Sequence, residues 1–187
     1  MRQANLTEAD LTEANLTETN LSKSFLKGII FFGMNLYMSN LSQADLSQAD
    51  LSNANLIGAN LSQANLLKAD LSQADLIEAD LGNANLMRAN LSNANLTGAN
   101  LSDVNLKEVD LSGAYLSSAC LNRVAFKGVY LNGVRVTSPN FFQQLLAQDC
   151  KGVEALMERY TIDPTPQYYD WDKDKKYPYY LIQERPS

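Results

Sequence analysis

Leucine recurs at every fifth residue along most of the chain. This position, called i below, occurs 26 times from Leu6 to Leu131, and it holds Leu 24 times and Phe twice. Alanine fills 17 of the 27 positions two residues earlier, from Ala4 to Val134. The frame does not slip across 27 consecutive pentads, from Ala4 to Ser138. Such regularity indicates an internal repeat, and an internal repeat determines the class of fold.

A period of five fits neither an α-helix nor a flat strand. On a helix the leucines would spiral around the surface, and on a strand, whose side chains alternate, each successive Leu would change face. A chain that turns a corner in every pentad satisfies the pattern, with i−2 and i pointing inward and i+1 and i+2 forming the turn. Four pentads then close a square coil, and just under seven coils stack about 4.8 Å apart.

The residue types agree with this geometry. Leu and Ala alternate large and small inside a narrow coil. Asn or Asp fills 20 of the 22 positions between them from Asn5 to Asp110, because both tolerate unusual backbone angles and hydrogen-bond to nearby turns. Representative residues of the predicted core are Leu46, Leu51, Leu71, Leu91, Ala49 and Ala69.

Pentads such as ADLSQ and ANLSQ resemble the A(D/N)LXX consensus of the pentapeptide-repeat family of cyanobacteria and other bacteria. The resemblance implies an all-β solenoid, a right-handed quadrilateral β-helix, over residues 1–138. A small C-terminal α-helical cap and an aromatic-rich tail are expected over residues 139–187. The resemblance says less about function, since that family includes gyrase-protecting DNA mimics and cyanobacterial regulators.

The segment after the repeat has helical features. Pro139 stands where the first turn of a helix favours proline, and two short amphipathic runs follow before Pro164. An uncovered last coil would expose a strand edge to other chains, so these runs are predicted to cap it. The predicted capping residues are Phe141, Leu145, Leu146 and Leu156.

The tail from Thr161 to Ser187 contains six aromatic residues, too many for typical disorder. Its sequence allows a small edge hairpin, with Pro178 confining it to an edge. The tail either packs on the cap or the solenoid, or it docks a partner or a second copy. The six aromatic residues are Tyr168, Tyr169, Trp171, Tyr177, Tyr179 and Tyr180.

Two departures from the repeat indicate candidate contact residues. In residues 24–38, Phe25 and Ile30 replace Asn or Asp, while Ile29 and Met34 replace Ala. A distorted coil with Ile29 and Met34 inside is favoured over an extruded loop, which remains open. Large apolar residues also recur at i+1 once in every four pentads, which stacks them into a column. The candidate partner-binding residues are Phe25, Ile30, Phe32, Tyr37, Ile57 and Ile77.

Composition narrows the function. The absence of His removes the common catalytic triads and the usual general base near pH 7. The two cysteines, Cys120 and Cys150, are too far apart for a typical zinc site, and a filled Leu/Ala tube offers no pocket. We therefore expect a protein that is not an enzyme, with no catalytic residues, no metal and no cofactor.

The net charge of −6 argues against direct nucleic-acid binding. No apolar run is long enough to span a bilayer, so neither a membrane segment nor secretion is expected, and a cytoplasmic location is predicted. The main hypothesis is a non-enzymatic scaffold, regulatory in some settings, that binds an unidentified protein. Formation of a homodimer, through an uncovered end of the rod or through the C-terminal tail, is a further alternative.

The alternative hypothesis is a DNA mimic that binds a type II topoisomerase such as gyrase. Residues 1–138 contain 13 acidic and 9 basic residues. A rod about 32 Å tall that imitates B-DNA would carry about 19 negative charges. The charge therefore favours the scaffold.

Overall fold

The computed structural model describes residues 2–6, 11, 14–168, 175 and 178–186. In the repeat, each pentad makes one turn and contributes one bridge residue, and the bridges are parallel and join residues four pentads apart, as in Asn35 with Asn55. Backbone hydrogen bonds follow the same register, since the Leu36 N–H donates to the Asn55 carbonyl at 2.8 Å. The chain is the predicted right-handed quadrilateral β-helix.

The rod has four faces, named here by the bridge residues at i−1, and four edges, named by the turn residues at i+1. Face 1 carries Phe25, Asp45, Asn65, Asn85 and Asn105, and face 2 carries Ile30, Asp50, Asp70, Asn90 and Asp110. Face 3 carries Asn35, Asn55, Asp75, Asn95 and Tyr115, and face 4 carries Asn40, Asn60, Asp80, Asn100 and Cys120.

Edge A, between faces 1 and 2, contains Lys27, Ser47, Leu67, Met87, Lys107 and Lys127. Edge B, between faces 2 and 3, contains Phe32, Ser52, Ser72 and Ser92. Edge C, between faces 3 and 4, contains Tyr37, Ile57, Ile77 and Thr97, and edge D, between faces 4 and 1, contains Ser22, Ser42, Ser62 and Gly82.

Positions i and i−2 fill the interior. The core residues singled out above are all at most 1% exposed: Leu46, Leu51, Leu71, Leu91, Ala49 and Ala69. The corner residue at i+2 adopts a left-handed backbone even where it is not Gly, as at Gln73 with φ 58°. The side chain at i−1 supports this turn, since Asp70 Oδ1 accepts a 2.9 Å hydrogen bond from the Ser72 N–H.

Residues 24–38 form a coil with the same hydrogen-bond register as the others, so the extruded loop is excluded. The Phe31 N–H donates to the Asp50 carbonyl at 2.6 Å. Ile29 is 6% exposed, and Met34 is partly buried against the core. Ser24, and Ser39 directly after this segment, occupy the i−2 positions on faces 1 and 4 and are buried. Ile29 and Met34, which are larger than the usual Ala, thus enlarge the interior on faces 2 and 3 without a change of register.

Two helices and a small antiparallel sheet follow the last coil. The elements are β1 (Arg135–Val136), α1 (Phe141–Ala147), α2 (Val153–Arg159), β2 (Tyr160–Ile162), β3 (Gln167–Tyr168) and β4 (Pro178–Glu184). Strand β4 lies between β1 and β2 and also pairs with β3. Within the described residues, no helix has both the length and the apolar character that a membrane span requires.

Strand β4 covers part of the last coil. The Gly133 N–H donates to the Ile182 carbonyl at 2.7 Å, and the Ile182 N–H donates to the Val134 carbonyl at 2.9 Å. An ion pair of 2.6 Å between Arg159 and Glu184 joins α2 to β4. Helix α1 is an insertion in the coil path, because Ala125 pairs with Lys151, beyond the helix, and not with the residue four pentads away. The cap thus consists of both helices and the C-terminal strand.

The structure corrects one of the predicted capping residues. Phe141, Leu145 and Leu156 are buried, but Leu146 is 42% exposed, and Phe142 is buried in its place. Helical residues are about 100° apart, so Phe142 lies nearer to Phe141 around the axis than Leu146 does. The predicted tail hairpin corresponds to the β3–β4 pairing, in which Tyr168 faces Pro178. Tyr169, Trp171 and Tyr177 lie outside the described residues.

Replacement of interior residues should dominate stability. Leu71→Ala is expected to lower the free energy of unfolding by about 2–5 kcal/mol, because the side chain is fully buried. Gln73→Ala, two residues away and exposed, is the matched control and should change it by less than about 0.5 kcal/mol. Chemical denaturation measures both, and a larger loss for Gln73→Ala would show that the inside and outside positions are exchanged.

Truncation after Ser138 removes both helices and β4. The backbone groups of Gly133 and Val134 then lose their partners in β4, and an uncovered strand edge recruits other chains. The truncated chain should keep its β-type circular dichroism spectrum but associate, as measured by light scattering. A truncated chain that stays monomeric at high concentration would contradict the capping role.

Candidate functional site

The large apolar side chains that the described residues expose are concentrated in one coil. Four of the six lie between residues 25 and 38, namely Phe25 (59% exposed), Ile30 (73%), Phe32 (63%) and Met38 (54%). These four are called the apolar coil below. The other two are Tyr130 and Leu146. A solenoid gains nothing from apolar side chains that point into water, so this concentration identifies the candidate contact surface.

The apolar coil surrounds three sides of the rod instead of forming one flat patch. Phe25 lies on face 1, Ile30 on face 2 and Phe32 on edge B. Met38, which the repeat analysis did not single out, is the i+2 residue beside edge C. Phe25 and Ile30 flank edge A, and Ile30 also adjoins Phe32 where face 2 meets edge B.

Tyr37, Ile57 and Ile77 stack along edge C, as their spacing of four pentads predicted. The Met38 N–H donates to the Ile57 carbonyl at 2.9 Å, which joins the successive turns of this column. All three side chains are only partly exposed. Tyr37 belongs to the coil 24–38, so the column begins in that coil, whereas Phe25 and Ile30 lie on faces 1 and 2, away from edge C.

The acidic residues do not form one surface. Asp45 lies on face 1, Asp50 and Asp70 on face 2, Asp75 on face 3 and Asp80 on face 4. Several of their carboxylates also take part in hydrogen bonds of the repeat. Asp80 Oδ1, for example, accepts hydrogen bonds from the Asn100 side chain at 2.8 Å and from the Gly82 N–H at 3.0 Å. The negative charge is therefore distributed around the rod.

Chemical groups for catalysis are sparse in the described part of the chain. These residues contain no cluster of three or more His, Cys, Asp or Glu side chains that could hold a metal ion. The Cys150 thiol donates to the Leu121 carbonyl at 2.9 Å. Burial raises the pKa of this thiol above its usual value, which opposes formation of the reactive thiolate.

A cavity of about 80 Å³ lies between the last coils and helix α1. Leu116, Leu121, Phe141 and Leu145 line it together with several polar residues, among them Gln148. The Oε1 atom of Gln148 is buried and has no hydrogen-bond partner in the protein. The cavity has room for a few water molecules, and water would satisfy this oxygen.

The family model for pentapeptide repeats matches the chain in eight copies, which together extend over residues 1–133. The matched segments include the coil 24–38 and every residue of the apolar coil. The chain therefore belongs to the pentapeptide-repeat family and is a pentapeptide-repeat scaffold.

HetL and QnrB1 are among the solved structures that are similar to the chain. HetL, a pentapeptide repeat protein from the cyanobacterium Nostoc sp. strain PCC 7120 that is involved in heterocyst differentiation regulation, is 38% identical; the match covers 72% of this chain and 64% of HetL, with a TM-score of 0.48. QnrB1, a plasmid-mediated fluoroquinolone resistance protein, is 24% identical; the match covers 68% of this chain and 64% of QnrB1, with a TM-score of 0.59.

This chain therefore matches less than two thirds of the length of either protein. The likeness to QnrB1 shows the common β-helix fold. The comparison with curated proteins found no match.

The neighbouring residues Phe31 and Phe32 provide a test of which apolar side chains serve the fold. Phe31 is 1% exposed and Phe32 is 63% exposed. Phe31→Ala should lower the free energy of unfolding by about 3–5 kcal/mol, whereas Phe32→Ala should change it by less than about 0.5 kcal/mol. Urea denaturation measures both variants, and an equal loss would show that Phe32 is a packing residue.

Proposed function

We propose that this protein is a rigid, non-enzymatic scaffold that binds another protein through the apolar coil. The single observation that carries the proposal is the exposure of Phe25, Ile30, Phe32 and Met38 within one coil. Aromatic and large aliphatic side chains dominate the binding energy of protein interfaces. A rod of this kind acts by occupancy: it holds, shields or blocks the surface that it binds.

The rigidity of the coil supports this role. The backbone beneath the apolar coil is hydrogen-bonded to the next coil, as in the 2.9 Å bond from the Gly33 N–H to the Ser52 carbonyl. In the same segment, the side chains of Leu26, Phe31 and Leu36 are buried in the core. Anchors on such a frame lose little backbone freedom on binding, and preorganisation of this kind raises affinity.

DNA mimicry receives less support. A mimic of the double helix needs a continuous negative surface, and the acidic residues of this rod are spread over four faces. The likeness to QnrB1 is at 24% identity and concerns the fold alone. Gyrase supercoiling assays provide the direct comparison, and inhibition at stoichiometric concentration would favour the alternative.

The proposal predicts that the apolar coil is required for capture of a partner. A variant with Phe25→Ser, Ile30→Ser and Phe32→Ser should capture at least tenfold less of the partner from a lysate of the source cells, since about 1.4 kcal/mol corresponds to tenfold. Leu146→Ser is the matched control, because Leu146 is exposed at the other end of the rod. Quantitative mass spectrometry measures the captured protein.

Two further variants separate this site from the competing ones. A triple Ser variant of Tyr37, Ile57 and Ile77 tests the column on edge C, and deletion from residue 161 tests the tail. Loss of capture in either of these, with full capture by the apolar-coil variant, would contradict the proposal. The thermal midpoint of each variant distinguishes loss of contact from loss of fold.

A further inference from the structure

Edge A carries most of the positive charge of the repeat. Five of the nine Lys and Arg residues in 1–138 lie on this edge at i+1 or i+2. The five are Lys27, Lys68, Arg88, Lys107 and Lys127. These five residues, called the basic row below, are positively charged, whereas the whole chain has a net charge of −6. It is also unexplained by the fold, because turns on the other edges use mostly Ser, Asn, Gln and Gly.

Backbone hydrogen bonds join the turns of edge A into one continuous ladder. The Gln48 N–H donates to the Leu67 carbonyl at 2.9 Å, and the Lys68 N–H donates to the Met87 carbonyl at 3.0 Å. The ladder continues from Arg88 to Lys107 at 3.0 Å. Five coil steps separate Lys27 from Lys127, so the basic row is about 24 Å long at the usual spacing of neighbouring strands.

One acidic residue, Glu108, stands among the basic residues of edge A. Its carboxylate accepts a 2.7 Å hydrogen bond from Arg88 Nε and lies 3.6 Å from Lys107 Nζ. Arg88 lowers the pKa of Glu108 below its usual value, so this carboxylate remains ionised at neutral pH. Within the described residues of edge A itself, five basic side chains stand against this one acidic side chain, so the edge keeps an excess of positive charge.

Apolar side chains accompany the basic row. Partly exposed Leu67 and Met87 lie in the middle of the edge. Phe25 on face 1 and Ile30 on face 2 stand on either side of Lys27 at one end. The edge therefore combines apolar anchors with cations, as expected for a surface that binds an acidic segment with apolar residues of its own.

Negative charge on face 2 limits the width of this surface. Asp50, Asp70 and Asp110 lie on face 2, next to edge A. A nucleic-acid duplex that straddled the edge would bring phosphates close to these carboxylates. A single helix or extended protein segment can instead follow the edge and contact face 2 only at its end, where Ile30 lies. The charge pattern thus favours a narrow acidic segment over a duplex.

A second copy of this chain fits edge A less well. Edge C offers a second copy the column of Tyr37, Ile57 and Ile77 together with two carboxylates, Glu18 and Glu78. Two carboxylates are too few to neutralise five cations along the same length. Contact between two copies through edge A on both sides would bring like charges together.

We propose that the partner contributes an acidic, partly apolar protein segment that lies along edge A, with Phe25 and Ile30 seated on its apolar residues. This inference rests on the proposed function, because both anchors belong to the apolar coil. The cations of edge A determine which partner is selected, while the apolar coil supplies anchoring.

A synthetic peptide provides a defined probe for this surface. An amphipathic helix of about 16 residues, built from Glu and Leu, spans about 24 Å and so matches the row. The same peptide with Lys in place of Glu is the matched control for its charge. Fluorescence anisotropy with the full chain should give at least a tenfold lower Kd for the Glu peptide. The difference should shrink at about 0.5 M salt, where the screening length is only a few ångströms.

Charge reversal on the protein tests the location. Lys68→Glu with Lys127→Glu should weaken binding of the Glu peptide at least tenfold. Arg2→Glu with Lys23→Glu changes the net charge by the same amount beside edge D and should weaken binding less than threefold. Equal weakening by both pairs, or no binding of the Glu peptide at low salt, would overturn the inference.

Further outcomes separate this inference from the proposed function. If reversal on edge A leaves capture of the natural partner unchanged while the triple Ser variant of the apolar coil abolishes it, the inference fails and the proposed function stands. If neither changes capture, both fail. Tighter binding of a short DNA duplex than of the Glu peptide would assign the edge to nucleic acid. A dimer in sedimentation velocity that edge A reversal dissociates would assign it to a second copy.

Discussion

The width of the tube is the constraint on which the rest of the structure depends. Each pentad can direct only two side chains inward, and the space accepts one large and one small residue per face. The coil at residues 24–38 departs from this pattern, because Ile29 and Met34 replace Ala on two faces and Phe31 replaces Leu. Its backbone hydrogen bonds nevertheless keep it in register with the next coil.

Because only positions i−2 and i fill the interior, the outward positions are available for function. Phe25, Ile30 and Phe32 stand at positions where Asn, Asp or Ser would serve the turn at least as well. The turn positions of edge A likewise accept charged residues, since basic residues recur there along a ladder of backbone hydrogen bonds. The fold therefore arranges the turn residues of successive coils in straight rows, with neighbouring residues of a row about 4.8 Å apart.

The cap closes the ladder where the repeat ends. Strand β4 accepts and donates backbone hydrogen bonds at Gly133 and Val134, and Tyr160 is buried beneath the last coil, where its hydroxyl accepts a 3.3 Å bond from the Leu131 N–H. Helix capping was predictable from the amphipathic runs. The sequence left open whether the tail packs on the rod, and it did not give the pairing of β4 with β1, because β1 lies far earlier in the chain, before both helices.

Periodicity alone determined the β-helix, its coil of four pentads and the inward columns of residues such as Leu71 and Ala69, because every pentad repeats the same local requirement. The stacking of Ile57 on Tyr37 followed from the same count. Only the tertiary structure decided that Leu146 is exposed while Phe142 is buried, and that Met38 is part of the apolar coil. The reason is physical: a period specifies how residues stack along the rod, whereas the exposure of an outward or capping side chain depends on its conformation and on the distant segments that pack against it.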